Sequence, residues 1–475
     1  MTKTLWAATT MCLLQLGCGG TSSDPGGDAS ADAVDASADA DADAVDAVAD
    51  AVDASADAVD ATADTSADAV DAVADAVDAS ATGCVTGAPP VAYRLADANQ
   101  AACYDNKGDA VTCPATGAPF YGQDAQYAGL APSYSVVCSD AVVLDDNTGL
   151  LWERAHHDQR ASYAVAAAYC DGLELGGYDD WRMPSIKELF SISDWNGDQH
   201  EDGAFYLDSA AFAFDYPDLS DLTGTHSNQM MGQTWSSTSR PDVENLNHDV
   251  HYFFNFLDAH IKSQDAENAN AALFYRCVRG DAAALDNELQ DNGDGTVTDA
   301  ATGLVWQRAN GQQSAGDLQF SWKEALAYCE ALALAGHDDW RLPDVRELQS
   351  IVDYDPPDWT GTHMALDTTV FAFDLPAGKD LTTPPTTSPP DGAAVAPFFW
   401  SSTTHGDNKS FAAYVCFGPC WAVEELGFGH DVHGPGAQRS DPKDDQMGNI
   451  WTKVGESIGD QQDVVQIDNF VRCVR

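Results

Sequence analysis

Two stretches of the chain read almost alike, DDWRMPSIKEL (Asp179–Leu189) and DDWRLPDVREL (Asp338–Leu348). In each, a residue able to cap a helix is followed three positions later by glutamate: Ser185 by Glu188, and Asp344 by Glu347. That spacing is a capping box, in which the cap side chain and the acid each satisfy an otherwise unpaired amide. Ile186, Leu189 and Ile192 then recur every three residues, as do Val345, Leu348 and Ile351, giving one apolar helix face per stretch. Pro184 and Pro343 stand just outside the helix, where a missing N–H breaks nothing. Gly177 and Gly336 lead in a tight turn, with Trp181 and Trp340 expected beneath it and Arg182 and Arg341 expected to pair with neighbouring carboxylates. The peptide reads as a structural joint in preference to the alternative, a ligand contact.

The duplication extends far beyond this joint. TGLLWER (Thr148–Arg154) matches TGLVWQR (Thr302–Arg308), LDSAAFAFD from Leu207 matches LDTTVFAFD from Leu366, and TWSST around Trp235 matches FWSST around Trp400. FYRCVR (Phe274–Arg279) matches FVRCVR (Phe470–Arg475) in the same order. Two homologous halves therefore meet near Gly280, giving units over 84–280 and 281–475.

Ahead of each joint lies another amphipathic pattern. Tyr163, Ala166, Ala167, Cys170 and Leu173 share one helix face, as do Trp322, Ala325, Leu326, Cys329 and Leu332. The cysteines at the other equivalent position, Cys277 and Cys473, fall in the last apolar strand of each unit. Pairing Cys170 with Cys277 and Cys329 with Cys473 would tie first helix to last strand, as expected of an exported protein. Cys103 and Cys113 flank a hairpin-like YDNKGDAVT, Cys416 and Cys420 flank the turn FGP, and Cys84 is left to pair with Cys138.

The N-terminus, MTKTLWAATTMCLLQLGCGG, has a short basic start and an apolar run too short to span a bilayer, the build of an export signal. LQLGCGG resembles a lipobox, making Cys18 the lipidated residue and 1–18 a lipoprotein-type signal peptide. Residues 19–83 are almost only Ala, Asp, Val, Ser and Thr; aspartates every three or four residues would stack like charges in a helix, so an extended, disordered tether is expected. The net charge of −54 excludes nucleic-acid binding and limits membrane contact to the lipid anchor.

Taken together, TGLxW, the YC helix, DDWRLPxxxEL, WSST and RCVR resemble the Lcl C-terminal domain family, and Cys103–Tyr127 resembles the preamble of proteins that carry it. The resemblance implies an α+β fold: two tandem C-type-lectin-like domains, each with two helices and a mainly antiparallel sheet bridged from first helix to last strand. It also implies exported bacterial proteins displayed on the cell envelope or surface, recognising a glycan or a protein.

Candidate chemistry outside the repeated motifs is sparse. Asp194, Asn196 and Asp198, and Asp353, Asp355 and Asp358, offer alternate oxygens that suit calcium, whose ligands are several converging oxygens. DNGDGTVTD (Asp291–Asp299) lacks acids at the first and last positions of an EF-hand loop and reads as a turn feeding a strand. HDVH occurs twice, at His248–His251 and His430–His433, without an evident third zinc ligand. Trp195, Trp359 and Trp421 suit either exposed recognition platforms or core cover. The resulting expectation is a non-catalytic envelope lipoprotein recognising a neutral glycan or a protein. The alternatives are a structural, adhesive surface protein without a discrete pocket, and a thiol or metal-dependent oxidase akin to formylglycine-generating enzymes, using Cys416 and Cys420.

Overall fold

The computed structural model describes residues 84, 94–155, 160–198, 205–214, 232–240, 249–268, 271–355, 364–387, 390–424, 429–444 and 461–475. The signal segment with Cys18, the tether, Trp359, Asp358 and His248 lie outside the described residues.

Each half follows the same plan. In the first, a sheet runs in the order Tyr134–Val137, Val142–Asp145, Leu151–Glu153, Val278–Arg279, so the chain's last strand returns beside its third. Helices α1 (Tyr163–Asp171) and α2 (Ile186–Ser191) follow the third strand. A second antiparallel sheet joins Gln233–Ser239, Val250–Asn255 and Ile261–Asp265. The second half repeats this with Leu289–Asp291, Thr296–Asp299 and Val305–Gln307, then α3 (Trp322–Glu330) and α4 (Val345–Ser350). Its later sheet pairs Phe398–Thr404, Phe411–Cys416 and Gln438–Pro442. The architecture is α+β and mainly antiparallel, with four α-helices among the described residues.

The duplicated peptide behaves as the joint its spacing predicts. Ser185 N donates to Glu188 Oε2 at 2.7 Å and Glu188 N to Ser185 Oγ at 3.2 Å; Asp344 and Glu347 do the same at 3.0 and 2.8 Å. Arg182 and Arg341 each grip the capping glutamate through both terminal nitrogens. Trp181 Nε1 donates to Leu175 O at 3.2 Å and Trp340 Nε1 to Leu334 O at 3.4 Å, so each indole is tied under the turn it supports. The second aspartates, Asp180 and Asp339, pair with Arg279 and Arg475 of the final strands. At the turn, Gly176 takes φ +67 with both sulfurs of Cys84 and Cys138 3.2 Å from where a Cβ would stand. The second half has no disulfide at this turn, and there Ala335 occupies the left-handed conformation, φ 54.

Among the described residues, five disulfides join Cys84–Cys138, Cys103–Cys113, Cys170–Cys277, Cys329–Cys473 and Cys416–Cys420. Cys170–Cys277 and Cys329–Cys473 link the first helix of each half to its last strand, with Cα separations of 5.4 and 5.5 Å. Beside each, the motif arginine is buried: Arg276 donates to Glu153, Arg154 and Ala213 carbonyls, and Arg472 to Gln307, Arg308 and Ala372 carbonyls. WSST is equally structural. Trp235 Nε1 donates to Ala161 O at 2.9 Å, Trp400 Nε1 to Phe320 O at 2.8 Å, and Thr238 and Thr403 accept from the first amides of α2 and α4.

The halves do not hang as separate beads. One core contains Trp195, Tyr206 and Phe254 of the first together with Trp322, Phe398 and Trp400 of the second. At matching positions, Lys187 donates to Ser350 O at the end of α4, and Arg346 donates to Ser193 O just past α2. Each cation thus meets the negative end of the other half's helix. Burial lowers the Lys187 ammonium to about 8.

The preamble crosses this joint. Cys84 is bonded within the first half, yet Phe120 packs against Trp322 at 6.1 Å, Gln100 exchanges hydrogen bonds with Thr404, and Asp124 accepts from Thr403 at 2.6 Å. Residues 95–130 therefore cover the second half's motif face, which leaves the strand end Ser237–Ser239 of the first half more open than its counterpart at 402–404.

Candidate functional site

Where the preamble covers the second half, it leaves a polar cavity of about 350 Å³. The short 3-10 turn Asp124–Gln126 and the loop around Asp97 form the roof; the duplicated peptide supplies the floor with Arg341, Asp344 and Glu347. Leu95, Leu130 and Leu304 give part of the wall an apolar character, and the Tyr127 ring stands 5.5 Å from the Arg341 guanidinium.

Four carboxyl groups meet here, and they are not equally satisfied. Glu347 binds Arg341 through both oxygens. Asp97 accepts from Asn99 N and Gly129 N, one on each oxygen, at 2.7 Å. Asp124 accepts only from Thr403, through Oδ2, and Asp344 only from Glu347 N, through Oδ1. Each of these two keeps one oxygen without a protein donor among the described residues, although Asp124 is 2% exposed and Asp344 6%. Burial, reinforced by Asp97 and Glu347 and opposed by Thr403 and Arg341, pushes the Asp124 carboxyl up to about 8. Burial, then Glu347, Asp124 and Asp97, push Asp344 well above the usual carboxylate range. Arg341 stays charged despite burial because Glu347 faces it.

Asp344 is where the copies differ in chemistry. The first half caps α2 with Ser185, and serine caps a helix as well as aspartate does. Capping alone therefore does not require the buried acid. The pH dependence follows from the sign of the shift. Between about 4 and about 8 the folded protein holds a proton on Asp124 that the unfolded chain has released, so stability is greatest at the acid end and falls as pH rises through 8. Asp124→Asn is expected to flatten this decline and to raise stability at pH 8, read from urea unfolding at a series of pH values.

The other candidates from the sequence fare differently. Trp195 is no exposed platform: it is 1% exposed, donates to Ser193 Oγ at 3.1 Å and packs edge-on to Tyr206 of its own half and His405 of the other. Trp421 is 6% exposed and donates to Val395 O at 3.0 Å. Both indoles fill core beside irregular chain, where burial of a large apolar ring outweighs any benefit of display. Nor do the proposed calcium ligands converge. Asp194 takes hydrogen bonds from Asn196 and Asn99, Asn196 Oδ1 accepts from Ala101 N, and Asp198 pairs with Lys409 at 2.6 Å. Asp353 accepts from Asp355 N in a local turn, with Asp355 itself exposed. Among the described residues no three His, Cys, Asp or Glu side chains are grouped to hold a metal ion. His251 stacks on Tyr163 at 3.8 Å while His433 binds Asp463 at 2.8 Å, each in its own half. Cys416 and Cys420 are joined to each other and buried. DNGDGTVTD forms the hairpin between Leu289–Asp291 and Thr296–Asp299.

The model of the Lcl C-terminal domain matches residues 141–279 and again 295–438, together more than half of the chain. This protein belongs to the Lcl C-terminal domain family. No curated protein and no solved structure matches the chain. The first Lcl C-terminal match runs through the closing strand at Arg279, whereas the second stops at Gln438. In the second copy, residues 443–472, with the short strands Gln461–Asp463 and Asp468–Asn469, lie between Gln438–Pro442 and Cys473, where the first has only 266–276 between Ile261–Asp265 and Cys277. Membership places both halves among surface or extracellular domains. The disulfides fit that oxidising setting, and no described helix is long and apolar enough to cross a membrane.

Proposed function

We propose that this protein is a non-catalytic envelope lipoprotein that holds out two lectin-like Lcl C-terminal domains to recognise a glycan or protein ligand. The observation that carries the reading is the cavity under the preamble, where two buried carboxyl groups retain oxygens that no protein group engages. Those oxygens open onto the cavity and are not sealed off from it, so a donor on a bound group can reach them. The bridge from first helix to last strand supports the lectin-like relation, and LQLGCGG supports anchoring through Cys18 with the acidic 19–83 segment as spacer.

The test is a glycan and matrix-protein binding screen, with and without calcium, run on the full mature chain beside its Asp124→Asn variant. Ligands retained by the wild type and lost by the variant support the reading. Absence of any ligand in both calcium conditions would count against it. The mass of the mature N-terminal peptide decides the anchor: an acylated Cys18 is expected, and an unmodified N-terminus elsewhere would contradict it.

A further inference from the structure

We infer that the cavity roofed by Asp124 and floored by Asp344 takes a primary ammonium group on a short aliphatic stem, as carried by a lysine side chain or another alkylamine. The inference rests on the recognition reading above and names the chemistry of its ligand.

Three features of the cavity point to this class. Asp124 Oδ1 and Asp344 Oδ2 are acceptors without protein donors on groups at least nine-tenths buried, and both residues line the same space. An ammonium brings three donors and one positive charge, and so answers both oxygens at once. The cavity holds its acids by keeping protons on Asp124 and Asp344, and a cation supplies the positive charge that lets them ionise. Arg341 is the cation among the lining residues and is already held by both oxygens of Glu347, so ionised Asp124 and Asp344 would need a further cation from a ligand. Finally, Leu95, Leu130 and Leu304 give the wall an apolar stretch that a bare metal ion would not use but a methylene stem would cover. The volume, about 350 Å³, lies at the small end of ligand pockets and suits one side chain or small amine, not an oligosaccharide.

The first half offers a built-in contrast. Its cap is Ser185, and the preamble covers the other copy, so the acid pair is assembled once in the described structure. Replacing Asp344 by the residue its sibling uses therefore removes the charge while keeping a good N-cap.

The experiment titrates the full mature chain by calorimetry with Nα-acetyl-lysine amide, its uncharged counterpart Nα-acetyl-norleucine amide, glucosamine and calcium chloride. Nα-acetyl-lysine amide is expected to bind at least tenfold more tightly than the norleucine compound, and Asp124→Asn and Asp344→Ser are each expected to weaken it tenfold or more. Because the amine must displace the proton held by Asp124, affinity should rise about tenfold per pH unit up to about 8, the carboxyl being faced by Asp97, Glu347, Asp344 and Arg341. Stronger binding of the lysine compound, lost in the same variants, supports the site; stronger binding of glucosamine would overturn the aliphatic stem. Equal affinity for the norleucine compound, affinity unchanged in both variants, calcium displacing the amine at lower concentration, or no amine binding at millimolar levels would overturn it. A ligand from the binding screen that ignores both substitutions would remove this inference while leaving the recognition role standing.

Discussion

Replacing Cys329 and Cys473 together with alanine lowers the stability of the second half by about 5 kcal/mol, the largest effect expected of any pair in the chain. The bridge closes a loop with a sequence separation of 144 residues, and in the chain-entropy treatment the gain grows with the logarithm of that length. Cys416–Cys420, separated by 4, is expected on the same grounds to contribute only about 2 kcal/mol. Urea unfolding of the two double variants checks the ranking. Equal losses would show that strain or local packing, and not loop closure, decides what these bonds do.

Arg472→Met should cost about 3–5 kcal/mol, although its hydrogen bonds go to backbone carbonyls and not to a carboxylate among the described residues. Its guanidinium is fully buried and donates to the carbonyls of Gln307, Arg308 and Ala372. Burial, with Arg308 nearby, lowers it to about 9, and it still donates to all three acceptors. Methionine fills much of the volume but leaves the carbonyls without donors, each a penalty of about 1–3 kcal/mol. Arg276→Met should behave alike in the first half, since its three carbonyl contacts are equivalent. A loss under 1 kcal/mol by urea unfolding would mean that water replaces the guanidinium and that the motif arginine is not the clamp described here.

The duplicated peptide was legible from its sequence because its physics is local. Capping boxes, turn glycines and apolar spacing all act within about ten residues, and the structure places Ser185, Glu188, Asp344 and Glu347 as their spacing demands. The helix-to-strand disulfides were legible for another reason: duplication doubled the evidence, marking Cys170 and Cys277 by their counterparts Cys329 and Cys473. The cavity had no such signal. Asp124 meets Thr403 across 279 residues, and nothing in the preamble says that it covers the second half in preference to the first. One clue was present, the exchange of Ser185 for Asp344 within an otherwise conserved spacing, but an acid at a helix cap needs no special reason. Trp195 shows the opposite failure. Lying outside the repeated motifs suggested exposure, whereas its place between the halves buries it against residues of both.

The functional account stands on the state of one carboxyl group. Carbon NMR of the full chain labelled at aspartate, with Asp124→Asn to assign the signal, measures its titration directly. The account predicts that Asp124 takes up its proton near pH 8, and that saturating Nα-acetyl-lysine amide moves this midpoint down. A midpoint near 4, unmoved by the amine, would show a solvated surface acid and contradict the site.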